Sequence, residues 1–237
     1  MTFSTWHALG NRYVVVPRAE AGPLDAERAR ELSVGTDGVV EVVDAQDGEI
    51  EVVIWNPDGS TTEMSGNGTR IAAAWLVGRT GSAEVRVLVG SREVRARVLA
   101  DGRIEQELGA VEVGARETVD GIELVPVSVG NPHAVVIGEL EEIERVGRLL
   151  ETHARFPERT NVELVRVDGP GEVTARIWER GVGETSASGT GAVAVAAATY
   201  GEGEVLVHFP GGDLLVRLVG GRAYLTGPAE PVEPADA

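Results

Sequence analysis

The chain has 237 residues and a formal net charge of −17, from 21 basic against 38 acidic side chains. Cys is absent, and every basic residue is Arg, so Lys is absent as well. Without Lys there is no pyridoxal phosphate Schiff base, amine nucleophile or P-loop lysine. Without Cys there is no disulfide, iron–sulfur ligand, zinc thiolate or thiol catalyst. The acidic balance argues against nucleic acid or an anionic membrane as partner. The longest apolar run, Ala192–Ala198, is far too short to span a bilayer, and no export signal opens the sequence. A cytoplasmic chain is expected, running its chemistry on hydroxyls, carboxylates, four His and backbone dipoles.

In chain order, the Val- and Ile-rich runs Arg12–Pro17, Val39–Val43 and Glu49–Trp55 predict strands, with a helix over Leu24–Leu32 between the first two. Asn56-Pro57-Asp58-Gly59 is a turn by composition. Gly66-Asn67-Gly68 then opens an Ala-rich helix, Thr69–Val77, expected to stop at Gly78. Strands follow at Glu84–Val89, Arg92–Leu99 and Arg103–Leu108. The second half repeats the plan. Strand Leu124–Val129, turn Gly130–His133 and strand Ala134–Ile137 lead into an amphipathic helix, Glu139–His153, with Leu140, Ile143, Val146 and Leu150 on one face. Strands Asn161–Val167 and Glu172–Trp178 precede Gly189-Thr190-Gly191, which opens helix Ala192–Tyr200. Strands Glu204–Phe209, Asp213–Leu218 and Arg222–Thr226 follow, and the Pro-rich end, Pro228–Ala237, is expected to fray.

The repeat is the informative feature. MSGNGTRIAAAW (Met64–Trp75) and ASGTGAVAVAAA (Ala187–Ala198) share Ser-Gly-polar-Gly followed by an apolar helix, and Ser65 and Ser188 lie 188 − 65 = 123 positions apart. A helix apolar on every side must be buried. Two domains of one plan are expected, each wrapping strands around one such helix, over residues 1–112 and 113–221, with a strand at 222–232 returning to the first. A Gly-rich loop at a helix N-terminus offers unpaired N–H groups and the positive end of the helix dipole to an anion. Two of them around a small acid would set Ser65 and Ser188 on opposite sides of it.

Other chemistries fail on spacing. Glu63 and Ser186 stand where a nucleophile elbow needs Gly. The four His (His7, His133, His153, His208) show no i,i+4 pair and no carboxylate cluster, so no metal is expected. Glu179-Arg180 is either a surface ion pair or a carboxylate clamp, since Arg grips carboxylates bidentately.

Five long motifs carry a resemblance: HALGNRY (His7–Tyr13), NPDGSTTEMSGNGTR (Asn56–Arg70), GNPHAV (Gly130–Val135), FPERTNVE (Phe156–Glu163) and WERGVGETSASGTGA (Trp178–Ala192). With them the chain, from Phe3 to about Val232, resembles the diaminopimelate epimerase family, cofactor-independent isomerases that interconvert LL- and meso-diaminopimelate for lysine and cell-wall synthesis. The resemblance implies an α+β fold of two pseudo-symmetric domains, each a β-roll or barrel around a central buried helix, with the site in the cleft between them and a homodimeric assembly. It implies that Asn56, Asn161 and Arg180 hold the distal carboxylate of diaminopimelate and that Glu179 holds its amino group. Backbone N–H groups at Gly66, Asn67, Gly189 and Thr190 would hold the reacting carboxylate, with Asn11 and Asn131 completing the pocket.

One departure is decisive. The family uses two cysteines, one on each face of the stereocentre, as base and acid, and both positions are serine here, Ser65 and Ser188. A thiol titrates near 8.5, whereas a serine hydroxyl is far more basic and shows no His or Lys beside it in the motif. The expectation is therefore an epimerase that keeps the fold and binds substrate but turns it over very slowly or not at all. Both serines fit deliberate Cys-to-Ser replacement or a natural relative of the family. The competing readings are a phenazine-type isomerase or another racemase or dehydratase on the same fold, and a non-enzymatic amino-acid-binding protein.

Overall fold

A computed structural model describes residues 3–62 and 65–232. Glu63 and Met64 of the motif before the first central helix lie outside the described residues, as do residues 233–237 of the Pro-rich end. The chain divides into two compact units: one runs to Gln106 and resumes at Gly227, and the other spans Glu107–Thr226.

In the first unit, strand Ser4–Ala8 pairs antiparallel with Asn11–Pro17. That strand runs parallel to Gly38–Gln46, which pairs antiparallel with Glu49–Trp55. Glu49–Trp55 then runs parallel to Glu84–Val89, which pairs antiparallel with Arg92–Val98. The second unit repeats this order and every sense, through strands Ile122–Ser128, Pro132–Ile137, Asn161–Gly169, Glu172–Glu179, Gly203–Phe209 and Gly212–Val219. A register shift recurs on the same strand pair, at Val42/Asp44 in one unit and, two residues further along the strand, at Val167/Gly169 in the other.

The five α-helices are α1 (Arg18–Ala21), α2 (Ala26–Leu32), α3 (Gly66–Thr80), α4 (Ile143–Glu151) and α5 (Gly189–Thr199). α3 and α5 are the central helices of their units, buried along nearly their whole length. Small residues (Ala72, Ala73; Ala192, Ala194, Ala196) let the strands close around them. The core of the first unit joins Ile71 and Leu76 of α3 to Val15, Val40, Val52, Ile54, Val87 and Ile104 of the strands.

Several boundaries differ from the sequence expectation. α2 starts at Ala26 because the Asp25 side chain caps it, accepting from the Arg28 N–H at 2.8 Å. α3 runs through Gly78 to Thr80, and it is Gly81, in the left-handed region at φ 73°, that ends it. The expected helix 139–153 is a 3₁₀ turn, Leu140–Glu142, followed by α4, with Leu140, Ile143, Val146 and Leu150 all buried. The strand expected to return to the first unit, 222–232, is split. Arg222–Gly227 pairs antiparallel with Gly212–Val219 and belongs to the second unit, because Leu214, Val216, Leu218, Ala223 and Leu225 are buried along this hairpin. The stretch beyond Gly227 returns to the first unit: Glu230–Pro231 pairs with Trp6 and His7, and the Val232 N–H donates to Thr5 O at 2.7 Å. The two compact units meet in the chain at 106/107 and again at 226/227.

Candidate active site

The register makes the internal repeat exact enough to compare residues. Val39 faces Trp55 as Val162 faces Trp178, and each Trp precedes its serine by ten residues (65 − 55, 188 − 178). Tyr13 faces Gly38 as His133 faces Asn161, so Tyr13 and His133 occupy equivalent positions, as do Asn11 and Asn131.

In the first unit, Ser65 is the N-cap of α3. Its backbone is extended (φ −139°, ψ 114°), and its Oγ accepts from the Gly68 N–H at 3.0 Å. The N–H groups of Gly66 and Asn67 lie in the first turn, where an α-helix has no acceptor of its own for them. That turn is fixed from behind. The Gln106 amide donates to Gly66 O (3.0 Å) and accepts from the Thr69 hydroxyl (2.8 Å) and the Arg70 N–H (3.0 Å). Arg70 is fully buried, donating to Asn67 Oδ1 at 2.8 Å and to Pro228 O at 3.0 Å, while its Nη1 meets no acceptor among the described residues. Burial lowers its pKa to about 10, partly opposed by Tyr13. The Tyr13 hydroxyl lies 3.3 Å from Ser65 Oγ. Asn56 sits apart from this group, at the end of strand Glu49–Trp55, donating to Ser60 Oγ at 2.9 Å.

In the second unit, Ser188 is the buried N-cap of α5, its Oγ accepting from the Gly191 N–H at 3.3 Å. Asn131 donates to the Thr190 hydroxyl at 3.3 Å, and its Oδ1 lies 3.0 Å from His133 Nε2. With that oxygen as acceptor, Nε2 carries a proton. His133 Nδ1 lies 2.6 Å from Glu163 Oε1, with both side chains fully buried. Local spacing gave no sign of this pair. His133 and Glu163 are thirty residues apart (163 − 133) and meet because parallel pairing puts Glu163 two residues beyond Asn161, the partner of His133. His208, too, lies between Asp213 (2.7 Å) and Glu172 (2.9 Å), which raise its pKa. Among the described residues, no group of three or more His, Asp or Glu is placed to hold a metal.

Asn161 Oδ1 accepts from the Arg180 N–H at 2.9 Å, and Asn161 Nδ2 donates to Pro132 O at 3.1 Å. The Pro132 contact ties the Glu179–Arg180 corner to the Asn131 loop. The Arg180 side chain donates to Glu158 O at 2.9 Å, and the Glu179 carboxylate accepts from the Thr185 hydroxyl. Glu151, absent from the sequence reading, anchors this corner. It accepts from Trp178 Nε1 (2.8 Å) and the Gly181 N–H (2.7 Å) and pairs with Arg159. Burial pushes its pKa up, but these donors outweigh burial and hold it below the usual carboxylate range. Of the residues named from the sequence, the second unit thus joins Ser188, Gly189, Thr190, Asn131, Asn161, Glu179 and Arg180 through a few hydrogen bonds. The first groups Ser65, Gly66 and Asn67, with Asn11 two residues before Tyr13 on the adjoining strand.

Neither α3 nor α5 has an acidic residue in its first turn, although the chain carries 38 of them. Each N-terminus presents first-turn N–H groups and the positive end of a helix dipole to a carboxylate; at α5 the buried Glu163 carboxylate lies close to Gly191 of the same turn.

The family model for diaminopimelate epimerase matches residues 3–114 and 125–232. The chain is 40% identical to the diaminopimelate epimerase of Desulforudis audaxviator, over 98% of this chain and 97% of that one. It is 37% identical to that of Desulfitobacterium hafniense, over 94% and 93%. In fold it is similar to a predicted epimerase from Pseudomonas aeruginosa, with a TM-score of 0.76 at 20% identity over 99% and 98% of the chains. A hydroxyproline epimerase from Agrobacterium vitis, solved with trans-4-hydroxy-L-proline, gives a TM-score of 0.67 at 16% identity over 97% and 88%.

Proposed function

Since the chain belongs to the diaminopimelate epimerase family, an isomerase family, we propose that it binds diaminopimelate without a cofactor and that its two serines leave α-proton transfer strongly attenuated. The observation that carries this is the matched pair of N-capping serines, Ser65 and Ser188, each capping a helix with no acidic residue in its own first turn, at the same position of a repeated unit. Removing a proton α to a carboxylate places a second negative charge on that group. N–H donors from Gly66, Asn67, Gly189 and Thr190 aimed at it would supply the largest catalytic term available. Asn11 and Asn131 border these loops. Arg180, Asn56 and Asn161 take the distal carboxylate and Glu179 the amino group. Asn161 offers only what its contacts to Arg180 and Pro132 leave unused: a second lone pair and a second amide hydrogen.

Inversion needs a base on one face and an acid on the other, with pKa values near working pH. A hydroxyl meets that condition poorly, and each serine oxygen is already an acceptor for its own helix. Lysine and cell-wall synthesis in the cytoplasm, by a homodimer, is the setting that goes with this family and is part of the same proposal.

Calorimetry with LL- and meso-diaminopimelate, paired with deuterium uptake at the α-carbon, tests the reading. Binding with exchange far below ~1 s⁻¹, the lower end of ordinary turnover, is the expected result, and Ser65→Cys with Ser188→Cys should restore turnover. Absence of binding would sink the proposal, and exchange at an ordinary enzymatic rate would refute the attenuation.

A further inference from the structure

The motif around Ser65 carries no His or Lys to take its proton; the fold brings a phenol to it from 52 residues away (65 − 13). Tyr13 lies on strand Asn11–Pro17 with its ring against Gly38, where a Cβ would come within 3.0 Å of Tyr13 Cε1 and 2.3 Å of Trp55 O. Gly38 is in the positive-φ region at 152°, so both space and backbone there favour glycine, which leaves room for the Tyr13 ring edge. The phenol oxygen then meets Ser65 Oγ at 3.3 Å. We propose that Tyr13 is the proton acceptor and donor for Ser65, a positioning residue that acts on the substrate only through the serine hydroxyl.

This rests on the epimerase reading above and deepens it. When Ser65 Oγ takes the α-proton, the Cα–H bond breaks and its electron pair stays on the carbon, delocalised into the carboxylate. The hydroxyl proton of Ser65 passes to the Tyr13 phenolate. Reprotonation runs the same path backwards, so protons and electrons balance without any co-reactant. The Gly68 N–H already donates to Ser65 Oγ, which leaves the serine's own hydrogen free to point at Tyr13. A phenol titrates near 10, far closer to neutrality than an aliphatic alcohol. Arg70, fully buried and with its Nη1 meeting no acceptor among the described residues, interacts electrostatically with Tyr13. In the second unit the same strand position holds His133, whose two ring nitrogens are engaged by Glu163 and Asn131, so the two serines have unlike neighbours.

The test compares the full chain with Tyr13→Phe, each in the Ser65 form and in a Ser65→Cys background. Phe keeps the ring on Gly38, and circular dichroism and calorimetric binding of diaminopimelate check fold and site. In the Ser65 form, Tyr13→Phe should lower the rate constant of α-deuterium uptake by about a hundredfold, a typical worth for positioned acid–base groups, with KM within about twofold. In the Ser65→Cys background that loss should shrink below about threefold, because a thiolate needs no relay. An equal loss in both backgrounds marks a structural role and overturns the proposal. So does parental exchange in Tyr13→Phe, or exchange in the parent no faster than free substrate despite binding. If diaminopimelate does not bind at all, it is the epimerase reading that fails, and the relay falls with it.

Discussion

At the scale of single residues, the site is held by buried polar groups whose charge has a definite sign. Glu151 has a depressed pKa, so its stabilisation is present above the unfolded value near 4.3 and is lost as pH falls through the lower folded value. Glu151→Gln should therefore destabilise the chain by about 2 kcal/mol at pH 7, the worth of hydrogen bonds to a charged acceptor. The gap should narrow below pH 4 in urea titrations followed at several pH values. His208 runs the other way. Asp213 and then Glu172 raise its pKa, so its stabilisation is fully present below about 6.5 and fades as pH rises through the folded value. His208→Gln should lower Tm at pH 5.5 and leave it nearly unchanged at pH 9. Of this network the sequence showed the serines, the asparagines and the Glu179–Arg180 corner, because each lies in a dense local motif. Tyr13 and Glu163 end two of those motifs with no role legible there, and Gln106 lies outside all of them. Each acts on a residue tens of positions away through strand pairing or helix packing, and nothing in local spacing encodes the register.

At the scale of elements, alternation and helical period were enough to find most long strands and four of the five helices, since each buries a face that must be apolar. They did not reveal the short strands Ser4–Ala8 and Glu230–Pro231, whose residues are mostly half-exposed or exposed and so alternate weakly. Nor could they show that α4 lies close on Trp178. Gly147 allows it: a Cβ there would fall 2.5 Å from the indole Cγ. Arg148 caps the same ring at 5.0 Å, and Glu151 takes its N–H. Gly147→Ala gains helix propensity but overpacks the indole, and should cost about 2 kcal/mol net. A shift in tryptophan fluorescence should accompany the loss in chemical denaturation. Unchanged stability would mean that α4 slides freely on the sheet.

For the whole molecule, the first unit depends on both ends of the chain. Pro228 supplies one of the two acceptors that Arg70 meets among the described residues, and Ala229 is buried in the core of that unit. A chain ended after Gly227 loses both, together with the pairing of Glu230–Pro231. It should be less stable by about 3 kcal/mol, the cost of an orphaned buried charge plus lost apolar cover. The loss should appear as weakened hydrogen-exchange protection along Ser4–Ala8 and α3, while Pro132–Ile137 and α5 keep theirs.

Residues Glu107–Thr226 form a continuous unit, whereas the other unit waits for the strand that begins at Glu230. During synthesis the C-terminal half therefore emerges whole before the N-terminal half can be closed. Translation delivers the parts in one order, and folding completes them in the reverse. Until the final segment leaves the ribosome, the strand edge at Trp6 and His7 stays open and the Arg70 guanidinium lacks its Pro228 partner. The nascent chain is most exposed to misfolding and chaperone capture in that interval.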